Sequence, residues 1–200
     1  MQSTQKLTVI AVFTSLIIAS DFALTPVYNV KLLDTLVFSS AYSFGFRIGA
    51  SIAILSEFIW GVVSPNGFGG LIIPFLIAGE LLYVVAGCMA SKIWKIQDIK
   101  ALSPTNLFFG ASVAICAFIW DLETNLATGL LEGARTMWQY LAVVSLGIPF
   151  AVVHEISDFV IGAALAPIVI LCFRRYSLRV GRDAQVVPVS GSSARTTSGN

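Results

Sequence analysis

Four apolar runs, 7–24, 71–94, 107–127 and 150–173, dominate this chain. Each is near the ~20 residues that a helix needs to cross the hydrocarbon core of a bilayer. In lipid a backbone must satisfy its own hydrogen bonds, so runs of this length fold as membrane helices. Composition agrees: the chain is 56% hydrophobic and only 12% charged, about half the charge of a typical soluble domain. A multi-pass, all-α membrane protein is therefore predicted, with the lipid bilayer as its solvent.

The stretch 34–63 is too long for one ordinary span, and Arg47 within it is a poor residue for mid-bilayer. Breaking it there gives two short helices, 34–46 and 48–63, with Arg47 at the turn, and a bundle of six helices. The distribution of basic residues supports the split. With both termini cytoplasmic, Lys6, Arg47, Lys92, Lys95, Lys100, Arg174, Arg175, Arg179, Arg182 and Arg195 fall inside, and Lys31 and Arg135 fall outside. An unsplit stretch puts the lysines at 92–100 opposite the basic tail. The first run reads as a retained span, because Lys6 alone is a weak signal-peptide n-region and the apolar run is long. The region 138–153 is apolar but short and contains Gly147 and Pro149, so a re-entrant or interfacial segment is predicted before the last helix. A transmembrane domain then covers 1–175, and a disordered, polar and basic cytoplasmic tail covers 176–200.

Depth along the helices locates the acids. At about 1.5 Å per residue, Asp121 lies ~21 Å along the fifth span, in the outer third of a ~30 Å core. Glu57 falls near mid-depth on the third span, with Trp60 one turn further out. Glu80 falls near the midplane of the fourth, with Tyr83 below it. Asn125 lies near the outer interface, and His154, Glu155 and Asp158 open the last span. A carboxylate at mid-bilayer costs roughly 2.5–3.5 kcal/mol and so faces a cavity or a partner. The predicted binding residues are Glu57, Trp60, Glu80, Tyr83, Trp120, Asp121, Asn125, His154 and Asp158, an outward pocket whose acids and aromatic faces suit a flat cationic or polar organic molecule. The loop 64–70, "SPNGFGG", stands above Glu57 and Trp60 as a turn or a gate. No metal is expected, since His154 has Asp158 four residues on but no second imidazole.

Small residues recur every four positions at Ala11, Ser15 and Ala19, at Gly45, Gly49 and Ala53, and at Gly162 and Ala166. In lipid such faces let helices approach closely. The first set, on the N-terminal helix, is the candidate for docking a partner subunit. Cys88, Cys116 and Cys172 have no CxxC spacing and imply neither disulfide nor metal. The chain has no P-loop, GxSxG, HExxH or zinc cysteine pairs. It is not expected to be an enzyme, to need a cofactor or to bind nucleic acid.

Six short spans, the Ala11-xxx-Ser15-xxx-Ala19 face, the glycine-rich "FGFRIGASIAILSEFIWG" and the polar-headed "HEISDFVIGAALAP" resemble the substrate-binding (S) component of an energy-coupling factor (ECF) vitamin transporter, over about residues 5–175. The resemblance implies a plasma-membrane subunit that captures a micronutrient on the outer side and hydrolyses nothing. Its partners would be the ECF transmembrane coupling subunit, docked on the first helix, and two ATPase subunits. The start Met1-Gln2 lacks the Met-His of the family's nickel and cobalt members. A thiamine-like or other nitrogen-heterocyclic cation suits the acids; riboflavin, biotin, and cobalamin or queuosine precursors stay open. Three other readings compete: a secondary transporter with Glu57, Glu80 and Asp121 as a proton or cation relay, a membrane enzyme using His154, Glu155 and Asp158, and a non-transporting assembly subunit.

Overall fold

The computed structural model describes residues 2–96 and 103–185. Those residues are entirely helical between their connections: α1 (Ser3–Leu24), α2 (Leu33–Phe44), α3 (Phe46–Val63), a 3-10 turn (Gly70–Ile72) leading into α4 (Ile73–Ile93), α5 (Pro104–Leu131) and α6 (Met137–Gln185). Five of the described segments are long and apolar enough to cross a membrane: Ser3–Leu24, Phe46–Val63, Gly70–Ile93, Pro104–Leu131 and Met137–Arg174. This is a membrane protein, and its exposed surface carries large apolar side chains such as Leu16, Phe58, Ile115 and Val160.

The sixth helix, α2, is the exception. Its 12 residues rise about 18 Å, short of a ~30 Å core. It packs against α1, α3, α4 and α6, and every residue from Leu33 to Ala41 is buried. Protein surrounds it where lipid otherwise would, so it can carry Asp34, Thr35, Ser39 and Ser40 inside the bundle. The break before α3 falls at Gly45, whose φ of 84° favours glycine. Arg47, expected at the turn itself, is exposed in the first turn of α3.

The close approaches run through glycine. A Cβ on Gly87 of α4 would strike the Phe38 carbonyl of α2, and one on Gly49 of α3 would strike Ala41. Gly110 of α5 lies against Phe159 and Ala163 of α6. Beneath these contacts, Phe13, Phe44 and Phe173 form an aromatic cluster with ring centroids 4.8–6.0 Å apart. Phe38 meets Phe109 at 5.5 Å in the same half of the core.

Residues 138–153, expected as a re-entrant or interfacial segment before the last helix, form helical turns of α6 that are continuous with the last span, so the chain does not turn back there. Gly147 and Pro149 are both inside the helix. Gly147 is closed against Asn125 of α5, so its missing side chain serves packing. A proline in a membrane helix forfeits one backbone bond, and neighbouring helices keep the rest of the ladder intact. At about 1.5 Å per residue, α6 is ~73 Å long, well beyond the thickness of one bilayer core. Its backbone runs on to Gln185, past the boundary set at 175 for the tail; residues 186–200 of that tail lie outside the described residues.

Candidate functional site

His154 is the centre of the polar chamber. On α6 the residues His154, Asp158, Gly162, Ala166 and Ile170 are buried at four-residue intervals, while Val153, Ile156 and Val160 face outward. This spacing keeps one helical face toward the bundle. The His154 Nδ1 lies 3.0 Å from Asp121 Oδ2 on α5. Its Nε2 faces Asp34 Oδ2 on α2 at 3.5 Å and Asp158 Oδ2 at 3.8 Å. Tyr83 of α4 donates its hydroxyl to Asp158 Oδ2 at 3.2 Å. The edge of Trp120 meets the imidazole with centroids 5.4 Å apart.

Glu57 on α3 and Glu80 on α4 complete the interior, each 1% exposed. Both oxygens of both carboxyl groups lack a hydrogen-bond partner, as do Asp21 Oδ2, Asp158 Oδ1 and the hydroxyls of Thr35, Ser39 and Ser56. Unpartnered buried polar groups each cost about 1–3 kcal/mol, so this many in one place indicates a surface arranged for something other than stability.

The connection 25–32 covers the chamber. Asp21, near the end of α1, accepts the Leu32 amide at 3.2 Å, and Asn29 takes a left-handed φ of 58°. Lys31 is thereby held with its ammonium 5.1 Å from the Trp120 ring centre. Burial alone would lower the pKa of Lys31, but the carboxylates, Glu57 foremost and then Asp34, Asp21 and Glu80, hold it above the usual lysine range. Trp120 is seated by Gly79, where a side chain would collide with the indole, and donates Nε1–H to the Leu76 carbonyl at 3.3 Å. A cavity of about 180 Å³ remains between this connection and the loop 64–70, lined by Asp21, Tyr28, Asn29, Lys31, Trp60, Asn66 and Gly67 among others.

Most of the residues predicted from sequence are brought together here: Glu57, Glu80, Tyr83, Trp120, Asp121, His154 and Asp158 in the interior, Trp60 at the cavity above. Asn125 is not. It turns back to donate to the Asp121 carbonyl at 2.7 Å and borders a mostly apolar groove of about 240 Å³ between α5 and α6, which Asp121 also lines. Trp138 is 80% exposed and stands apart from the site. Three contributors escaped the sequence reading: Asp21, Asp34 and Lys31. Their signal was available. Asp21 lies four and eight residues after Ile17 and Phe13 on one face, and Asp34 opens a helix too short to span alone. Ala11, Ser15 and Ala19 are exposed, on the side of α1 away from buried Phe13, Ile17 and Asp21. Gly49, Ala53, Gly162 and Ala166 are buried. No protein-family model matches the chain, and no curated protein or solved structure matches it.

Proposed function

We propose that this protein is a plasma-membrane substrate-binding subunit. It takes up a small cationic organic micronutrient, such as a nitrogen heterocycle, from the outer side for import by an ATP-driven partner complex of the ECF type. The observation that carries this reading is the charge imbalance of the chamber. Six buried carboxyl groups, Asp21, Asp34, Glu57, Glu80, Asp121 and Asp158, face two side chains able to carry positive charge, Lys31 and His154. A cation entering there gains charge-assisted hydrogen bonds to oxygens that otherwise have none. The connections 25–32 and 64–70 are the natural doors, since both border the cavity above. A proton or cation relay through the bundle would need ionisable groups in the opposite half, where the buried acids give way to Phe13, Phe38, Phe44, Phe109 and Phe173.

Native mass spectrometry of the full chain, purified in mild detergent, tests this reading. A released organic cation of a few hundred daltons is expected. A clean apoprotein that no vitamin-like cation stabilises thermally would remove the reading.

The outer face of α1 is the proposed contact with the coupling subunit. Ala11→Trp and Ser15→Trp project into open space and are expected to leave fold and solute binding unchanged while abolishing uptake by the assembled complex. Normal uptake by both variants, measured with labelled substrate, would put the docking face elsewhere.

A further inference from the structure

From the geometry around His154 we infer a binding site for one divalent transition-metal ion, held by His154 Nε2 and by carboxylate oxygens of Asp34 and Asp158. One ligand atom from each of these residues lies within 4.8 Å of the others. The separations carry the inference. Nε2 is 3.5 Å from Asp34 Oδ2 and 3.8 Å from Asp158 Oδ2. Both are too long for hydrogen bonds, and Nε2 and Asp34 Oδ2 have no other partner. Two ligands of a tetrahedral ion with bonds of ~2.0–2.1 Å stand about 3.4 Å apart. The two separations from Nε2 are thus close to the edges of a coordination shell, and the Asp34–Asp158 pair is within 4.8 Å.

A second and independent observation is the orientation of the imidazole. Asp121, on a different helix, engages Nδ1 at 3.0 Å. With Nδ1–H donating, the lone pair of Nε2 is directed at Asp34 and Asp158, in the carboxylate–histidine–metal arrangement that fixes ring and tautomer at metal centres. Tyr83 likewise steadies Asp158. Nε2 belongs to a side chain 1% exposed, so bulk solvent does not reach it. Glu57 and Glu80, with four unpartnered oxygens, add negative charge nearby. Among the described residues, neither Asp34 nor Asp158 has a Lys or Arg within ion-pair distance. One imidazole with carboxylates selects zinc, cobalt, nickel or manganese over calcium and magnesium, which prefer all-oxygen shells.

This site goes beyond the organic-cation reading and does not depend on it: the metal needs only Asp34, His154 and Asp158, and it would leave Asp21, Glu57 and Glu80 to the organic solute. The test uses metal alone. The full chain in mild detergent, stripped with chelator, is titrated with Co²⁺ and with Zn²⁺. We expect one ion per chain with a dissociation constant of about 10 μM or tighter, visible d–d bands with Co²⁺, and a thermal midpoint raised by several degrees. Asp34→Asn and Asp158→Asn should each weaken binding at least about tenfold. Asp121→Asn, which only orients the ring, should weaken it about tenfold and shift the Co²⁺ bands. Glu132→Gln, at the exposed residue that follows α5, should change nothing. X-ray absorption of the zinc-loaded wild type needs no variant: imidazole scattering with oxygen neighbours near 2.0 Å is expected. No saturable binding below about 100 μM, an all-oxygen shell, or undiminished binding in both Asp34→Asn and Asp158→Asn would overturn the site. A metal-free protein that still releases an organic cation would sink this inference and leave the receptor reading standing. The converse result would sink that reading alone.

Discussion

Replacing Glu57 and Glu80 together by glutamine is expected to abolish capture of the organic cation while leaving the empty protein folded. Glutamine keeps the shape and the hydrogen-bonding reach of each side chain and removes its charge. A hydrogen bond to a charged partner is worth about 1.5–3 kcal/mol. Losing two of them should cost at least about a hundredfold in affinity, given 1.4 kcal/mol per factor of ten. The empty protein loses no bond, because all four carboxyl oxygens are already without partners. It no longer carries two buried ionisable groups, and against that gain it loses two of the carboxylates that offset the Lys31 ammonium. Titration calorimetry with the released solute, paired with thermal unfolding of the ligand-free proteins, reads both effects. Wild-type affinity in the double variant would remove the chamber as the binding site. A large loss of stability would show that the two acids are structural.

Substitution of Gly87 is expected to have the largest effect on the fold itself. Alanine at a helix-interior glycine ordinarily gains up to about 1 kcal/mol in helix propensity. Here the added Cβ meets the Phe38 carbonyl of α2 and approaches Ala41 Cβ at 3.1 Å. Backbone cannot step aside as a flexible side chain does, and overpacking costs typically 1–3 kcal/mol, so the contact outweighs the propensity gain. Gly87→Ala should lower the thermal midpoint, and Gly87→Leu should fail to give a monodisperse protein in detergent. Ala19→Leu adds more volume on the exposed face of α1 and should change stability by no more than about 0.5 kcal/mol. Equal stability of Gly87→Leu and wild type would contradict the close packing of α2 on α4.

The contrast between Gly87 and Ala19 shows what spacing alone conveys. Small residues every four positions mark a face capable of close approach, and the sequence carries several such faces. Spacing does not say whether a neighbour is already there. Gly49 and Ala53 are filled from within the bundle, Gly162 lies against Val113, and Ala11, Ser15 and Ala19 remain open. The same limit applies to α6. Gly147 and Pro149 break an isolated helix, and the neighbouring α5, invisible in the local sequence, lets this one continue.

Hydrophobic run length by itself determined the class of protein and the approximate helices, because the cost of an unsatisfied backbone group in lipid leaves no alternative to helix at that length. The same reasoning marked Glu57, Glu80, Asp121, His154 and Asp158, since charge inside a membrane span is expensive wherever it occurs. Only the tertiary structure decided which of these polar groups meet. Asn125 was read as part of the pocket and turns away from it. Asp34 and Lys31 were read as a helix start and a surface charge, and they lie at the His154 and Trp120 side chains. A helix fixes the direction of a side chain about its own axis, whereas the partner across the interface depends on how helices far apart in sequence rotate and slide to pack. For α2 that packing is set by Gly87 and Gly49, whose missing side chains let the short helix sink into the centre and carry Asp34 to His154.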